Sequence, residues 1–393
     1  MSPRVSQSRS LSVAVPWPAP PASAAIVPVF LPFFGCPRRC LFCAQEAQTG
    51  QPAASGAKLP ALLAAARETL ARRAARGLPP ARLAFYGGTF TALPPEALAA
   101  CLAFAERARH EGLITSFRCS TRPDAVDAGV LRRLAAAGCA TVELGIQSFS
   151  DVALGLAGRA YDGARARLAC ARVADAGLEP VVQLLPGMPG VGPRIFLEDV
   201  RQALGLGVRA LRFYPCLVLA GTGLEALWRE GAFEPWAMET TLETLAEGWL
   251  LARGAGATVL RMGVAPEEDL ARALLAGPWH PALGSRVLGR ALLRAVAAAL
   301  RLCRRLGAGG PLLVEAPTHV QGHFWGHGGE LRAAWARLGV GEVRFVSAPV
   351  LRLLHARERE AGAAGERRLR VFRETPARKV GNLHRSYPPV SGG

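Results

Sequence analysis

Gly35-Cys36-Pro37-Arg38-Arg39-Cys40-Leu41-Phe42-Cys43 places three thiols within eight positions. Thiolates grouped this tightly are soft ligands suited to iron–sulfur clusters, zinc or copper(I). A closed structural zinc site takes four ligands, and neither a histidine nor a fourth cysteine lies near the trio. A disulfide would leave one thiol over. The donor set fits best a cubane cluster held by three cysteines with its fourth iron open. Just upstream, Ile26 to Phe33 is apolar with β character and runs straight into the cysteine loop. A barrel's first strand delivers a loop to its C-terminal rim in this way. Pro28 and Pro32 argue for irregular strand ends.

Outward from this stretch, short apolar runs alternate with helical repeats of Leu, Ala and Arg. Strands are expected at 81–86, 117–120, 141–146, 179–185 and 209–219, and helices at 59–76, 94–111, 125–137, 163–176 and 195–206. Six strands alternating with helices make a parallel βα array, either a barrel or an open sheet. Past residue 220 the rhythm changes, with helices at 224–230 and 238–253 and a strand at 257–262. A long helix at 285–306 follows, then strands at 312–315 and 343–348 around a helix at 331–338. The expected divisions are a disordered leader over 1–25, the array over 26–262, a C-terminal α/β region over 263–356, and a basic, frayed tail over 357–393. Residues 369–372 could add a strand to that tail.

Composition narrows the function classes. Nine cysteines, six of them scattered, give no disulfide framework and suit a reducing, cytoplasmic setting. No apolar run is long enough to span a membrane, and prolines at 16, 18, 20 and 21 break up any signal-peptide core. The net charge of +17 is nearly all arginine, since Lys58 and Lys379 are the only lysines. Such a charge can attract nucleic acid, and it is equally the arginine and alanine enrichment of a G+C-rich genome.

Chemistry in a βα array sits at the C-terminal strand ends. The second strand ends in Gly87-Gly88-Thr89-Phe90, where paired glycines let a ligand approach the backbone. The third ends in Cys119-Ser120-Thr121-Arg122-Pro123-Asp124, with Asp124 as a candidate helix N-cap and Ser120 and Arg122 facing the site. On the fourth, Glu143, Gly145 and Gln147 share one face. A buried carboxylate there needs a polar partner, which is either a ligand or a neighbouring arginine. Arg159 follows, and the fifth and sixth strands end in Pro186-Gly187-Met188-Pro189 and Arg212-Phe213-Tyr214-Pro215.

The spacing Cys-x3-Cys-x2-Cys, with Phe42 before the last cysteine, resembles the signature of radical S-adenosylmethionine (SAM) enzymes. The resemblance implies a partial (β/α)6 TIM-type barrel with an appended C-terminal α/β region. It implies a [4Fe–4S] cluster on Cys36, Cys40 and Cys43 whose open iron chelates SAM. Reductive cleavage of SAM would yield a 5′-deoxyadenosyl radical that abstracts hydrogen from a substrate. Gly87, Gly88, Thr89, Ser120, Glu143 and Gln147 would cradle SAM, and Arg159 would pair with its carboxylate. A low-potential donor such as flavodoxin or ferredoxin would deliver the electron.

Over residues 26–262 the ordered strand-end motifs, with Gly221 to Trp228 after them, are similar to the radical SAM domain of the Elongator catalytic subunit, which modifies wobble uridine in transfer RNA. There are departures. No Gly-rich acetyl-CoA loop follows residue 262, Ser120 stands where some relatives have Glu, and Tyr161 stands where a histidine is common. The substrate is therefore open, with transfer RNA or another RNA as the candidate that the charge supports. Three rivals remain. The branch of oxygen-independent coproporphyrinogen oxidase and heme chaperones usually has a histidine before the first cysteine and a tyrosine before the third, where this chain has Pro32-Phe33-Phe34 and Phe42. The others are a non-catalytic basic RNA-binding scaffold and an iron–sulfur carrier. His319, His323 and His327 fall four apart, but the surrounding glycines favour a polar loop over a metal-binding helix face.

Overall fold

The computed structural model describes residues 11–17, 24–305, 312–355 and 367–370. Contacts divide these into two units. The larger lies between residues 22 and 281, and the smaller combines residues before 22 with those between 282 and 379.

The larger unit is a seven-stranded, all-parallel sheet in sequence order. Its strands are β1 (Ile26–Phe30), β2 (Ala81–Tyr86), β3 (Ile114–Thr121), β4 (Cys139–Gln147), β5 (Glu179–Leu184), β6 (Ala210–Phe213) and β7 (Thr258–Met262). Crossover helices Leu59–Ala75, Pro95–His110, Ala128–Ala136, Gly163–Asp175, Pro193–Gly205 and Met238–Gly254 separate them. Strands covered on both faces read as near-continuous apolar runs, and the first five residues of β2 are all buried. The curled sheet is the expected partial barrel with β7 added after the sixth strand. Pro28 is tolerated because β1 is an edge strand that pairs, among the described residues, only with β2. The stretch expected as a single sixth strand over 209–219 is β6 followed by a separate bridge, Val218–Leu219, paired with Leu274–Ala276.

Polar side chains occupy the interior of this sheet. Arg118 on β3, Glu143 on β4 and Arg212 on β6 are 2%, 1% and 7% exposed. Arg118 and Glu143 form an ion pair, and Arg212 Nε lies 3.0 Å from Glu143 Oε2. Gln183 Nε2 on β5 donates to the same oxygen at 3.1 Å. The carboxyl is held below its usual range. Burial alone would raise it, but Arg212, Arg118 and Gln183 outweigh burial.

The smaller unit is a five-stranded mixed sheet in the order Val340–Val346, Leu312–Pro317, Val350–His355, Leu11–Pro16, Arg367–Arg370, with the helix Leu283–Arg305. Two expectations are corrected here. The leader is not wholly disordered: Leu11–Pro16 is a strand that runs antiparallel to Val350–His355. Its Val13 and Val15 are fully buried, the alternation of a strand with one face inward. The tail contributes the strand Arg367–Arg370, overlapping the one expected at 369–372 and running parallel to Leu11–Pro16. The rest of 1–25 and of 357–393 lies largely outside the described residues. The boundary between units falls after Pro281 rather than at 262.

His319, His323 and His327 lie in short helical turns, Thr318–Val320, Gln321–Phe324 and His327–Gly329, rather than in a plain loop. Gly326, at φ +72°, breaks them apart. No helix among the described residues is long and apolar enough to cross a membrane.

Candidate active site

The cysteine loop emerges from the C-terminal end of β1 and lies on the rim of a cavity of about 690 Å³. Cys36, Cys40, Cys43, Gly87, Gly88, Ser120, Glu143, Gln147 and Arg159 all line it. The array's logic thus brings the strand-end residues together at one mouth. Thr89 is the exception. It is fully buried behind the loop, with Oγ1 3.3 Å from Cys36 Sγ.

The cysteine loop and the turn after β2 interlock through their backbones. Thr89 N donates to Phe34 O at 2.9 Å, and Cys36 N donates to Phe33 O at 3.0 Å. Gly35 and Gly88 have φ of +77° and +60°. A Cβ on Gly88 would overlap Phe34 O and meet Leu31 O at 2.6 Å. The glycine pair is therefore needed by the neighbouring loop as well as by any ligand. Gly88→Ala is expected to lower stability by about 1–3 kcal/mol more than Gly112→Ala. Gly112 has a similar φ of +70° but open space around it. Urea unfolding of both variants checks this, and equal losses would mean that the turn yields freely.

Gln45 was not singled out in the sequence. Its Oε1 accepts from Phe33 N at 2.7 Å and from Gly88 N at 2.8 Å, tying the loop to the turn. A polar residue two positions after Cys43 was the only available signal. Asp124 does not cap the following helix. It pairs with Arg122 at 2.7 Å, and Asp127 accepts from Val130 N as the cap.

Cys43 is pushed up to about 12, first by burial and then by repulsion from Cys40, with Cys36 adding to it. Cys36 is raised mainly by burial and also by Cys40. A positive metal centre would reverse this balance. Among the described residues no three His, Cys, Asp or Glu side chains converge on one metal-ion position. A closed structural zinc site takes four ligands, whereas three thiols on one loop at an open mouth suit a cluster with one vacant iron.

Glu143 and Arg159 reach the cavity already engaged. Both oxygens of Glu143 serve the buried arginine network described above. Arg159 Nη1 donates to Cys40 Sγ at 3.0 Å, Nε donates to Tyr161 Oη at 2.9 Å, and Nη2 donates to the Gly145 carbonyl. Burial would lower this guanidinium's pKa, but Tyr161 and Cys40 hold it above its ordinary value. Gln147 sits at φ +69°, a left-handed conformation uncommon for a side-chain-bearing residue. Its carbonyl accepts from Leu185 N at 2.9 Å, which links β4 to β5 at the rim.

The backbone after Gln147 is fixed by Asp199, which accepts from Phe149 N at 2.8 Å and from Ser148 Oγ at 2.7 Å. Burial pushes this carboxyl up to about 6 against the lowering effect of those two donors. A folded pKa above the unfolded one costs stability at neutral pH, and the cost is relieved as pH falls through about 6 towards the unfolded value. Asp199→Asn keeps an acceptor for Phe149 N. The wild type is expected to gain on this variant by on the order of 3 kcal/mol between pH 7 and pH 4. Paired urea titrations across that range measure it, and a flat difference would refute it.

Comparison with known proteins identifies the fold's lineage. Residues 30–203 match the radical SAM superfamily, and residues 208–291 match the radical SAM C-terminal domain. The chain belongs to the radical SAM superfamily. It is 30% identical over 129 residues to a tRNA uridine(34) acetyltransferase of Methanocaldococcus infernus, covering 32% of this chain and 24% of that protein. It is also 30% identical over 133 residues to Elongator complex protein 3 of Saccharomyces cerevisiae, covering 32% and 23%. The matched segment thus spans about a quarter of these relatives' length. A solved structure of Methanocaldococcus infernus Elp3, with its first 46 residues deleted, superposes with a TM-score of 0.51 at 20% identity. It covers 73% of this chain and 64% of that one, and so shares the radical SAM partial-barrel fold.

Proposed function

We propose that this protein is a radical SAM enzyme in which Cys36, Cys40 and Cys43 hold a [4Fe–4S] cluster whose fourth iron binds SAM. One observation carries this reading: three thiols on a single loop line a large barrel-mouth cavity together with the Gly87–Gly88 pair and Arg159. The bound cluster and SAM would together supply a 5′-deoxyadenosyl radical for hydrogen abstraction. The chain's own residues position and shield that chemistry. Gly87 and Gly88 offer backbone at the second strand end, and Ser120 and Gln147 offer polar side chains at the third and fourth. Glu143 braces the cavity floor through Arg118 and Arg212. Arg159 is directed at Cys40 and at the Gly145 carbonyl rather than presenting a free fork.

The substrate we favour is RNA, transfer RNA first. The net charge of +17 supports it, as do relatives whose names specify action on transfer RNA. A low-potential flavodoxin or ferredoxin of the cytoplasm would be the electron donor. Anaerobic reconstitution with iron and sulfide, followed by SAM and dithionite, is expected to give 5′-deoxyadenosine. A scaffold or an electron carrier would give none. Binding of bulk transfer RNA should weaken steeply with salt, and affinity independent of salt would remove the charge support.

A further inference from the structure

The three thiols differ in what faces them. Cys36 has the neutral hydroxyl of Thr89 at 3.3 Å, and Cys43 has the neutral amide of Gln45 as a hydrogen-bonding neighbour. Cys40 is approached by two cations. Arg159 Nη1 lies 3.0 Å from its sulfur, and Arg122 Nη1 lies 3.8 Å away. Neither guanidinium is loose. Arg122 is clamped by both carboxylate oxygens of Asp124, at 2.9 and 2.7 Å. Arg159 is clamped by Tyr161 and the Gly145 carbonyl. The Tyr161 ring lies under both guanidinium groups, with its centroid 5.7 Å from Arg122 Cζ and 5.0 Å from Arg159 Cζ. Two further arginines of the cavity make their bonds elsewhere. Arg212 is bound to Glu143 and Tyr214, and Arg261 Nε donates to Gly263 O at 3.2 Å.

We infer that Arg159 and Arg122 form a cationic clamp on the Cys40 sulfur that raises the reduction potential of the cluster. The inference rests on the cluster assignment above. Reduction adds one electron to the cluster without adding a proton, so the reduced state is more negative by one charge. Cationic donors at a ligating sulfur stabilise that state preferentially, because net charge and hydrogen bonds to the sulfurs set cluster potentials. These donors are held in place before reduction, so little reorganisation opposes them. A charge-assisted hydrogen bond of this kind is among the stronger polar contacts a protein makes. The role is positioning and tuning. It differs from pairing with a SAM carboxylate, which would require these guanidinium groups to leave the sulfur.

The test is an anaerobic redox titration of the reconstituted protein without SAM, followed by the electron paramagnetic resonance of the reduced cluster. Arg159→Gln is expected to reduce the ratio of reduced to oxidised cluster about tenfold at a fixed potential, a midpoint shift of about 59 mV downward for one electron. Arg122→Gln should shift it in the same direction by less, Arg159→Lys should recover part of the loss, and Arg261→Gln should leave the midpoint unchanged. Because Arg159 also holds Tyr161 and the Gly145 carbonyl, iron content is measured for each variant, and the Arg122 variant carries the test if the other loads poorly. Unchanged midpoints in loaded variants would overturn the clamp. So would an equal fall in Arg261→Gln, which would make the effect one of general cavity charge, or loss of iron from both clamp variants, which would make the role structural. A wild-type protein that assembles no cluster would instead overturn the parent assignment.

Discussion

Cys40→Ala is expected to abolish both the brown chromophore of the reconstituted protein and its formation of 5′-deoxyadenosine. Two sulfurs cannot hold a cubane with one open iron, and Cys40 is the middle ligand of the loop. Its removal also leaves Arg159 and Arg122 facing an apolar methyl group, so two cations lose the sulfur they converge on. The product should fall at least a thousandfold, to the uncatalysed background. The fold should survive, because Cys40 is only partly buried and the interlock of the loop with the turn after β2 runs through Phe34, Thr89 and Gln45. Product analysis by chromatography and iron content by absorbance are the paired readouts. Turnover surviving in Cys40→Ala would rule out the cluster assignment.

Glu143→Gln should unfold the larger unit more readily by about 3–5 kcal/mol, because it strips the carboxylate from two buried arginines. Arg118 and Arg212 would then lose the Glu143 carboxylate in a region that is almost fully buried. The glutamine can still accept one hydrogen bond, so the loss comes from charge rather than shape. Urea unfolding gives the number, and a change below 1 kcal/mol would mean that water or another group compensates those cations. The same variant separates two roles. A residue acting mainly on SAM would lose affinity with stability intact, whereas a brace loses stability first.

Much of this was readable from residues alone, and the misses share a cause. The strands β2 to β6 and their helices are legible because each is a local pattern, an apolar run or a Leu/Ala/Arg repeat closed by a glycine such as Gly138 or Gly177. β7 was legible as a strand, but its place beside β6 depends on pairing across the intervening helices. Leu11–Pro16 was hidden because its partner, Val350–His355, lies at the far end of the chain. At the cavity, the types and positions of the lining residues followed from strand ends, but their bonding did not. That Glu143 needs a partner follows from its type and face. That the partners are Arg118 and Arg212 follows only once three strands lie side by side. Arg159 lines the cavity, and its bond to Cys40 rather than a free fork depends on Tyr161 and the Gly145 carbonyl. Gln45 went unnoticed because its amide serves two distant backbone groups.

The most direct measurement is the spectrum of the reduced, reconstituted protein before and after adding SAM, together with its iron and sulfide content. Four irons and four sulfides per chain are expected, with a paramagnetic signal that changes shape when SAM occupies the open iron. A signal indifferent to SAM, or a protein that takes up a single zinc ion in place of iron, would contradict the assignment.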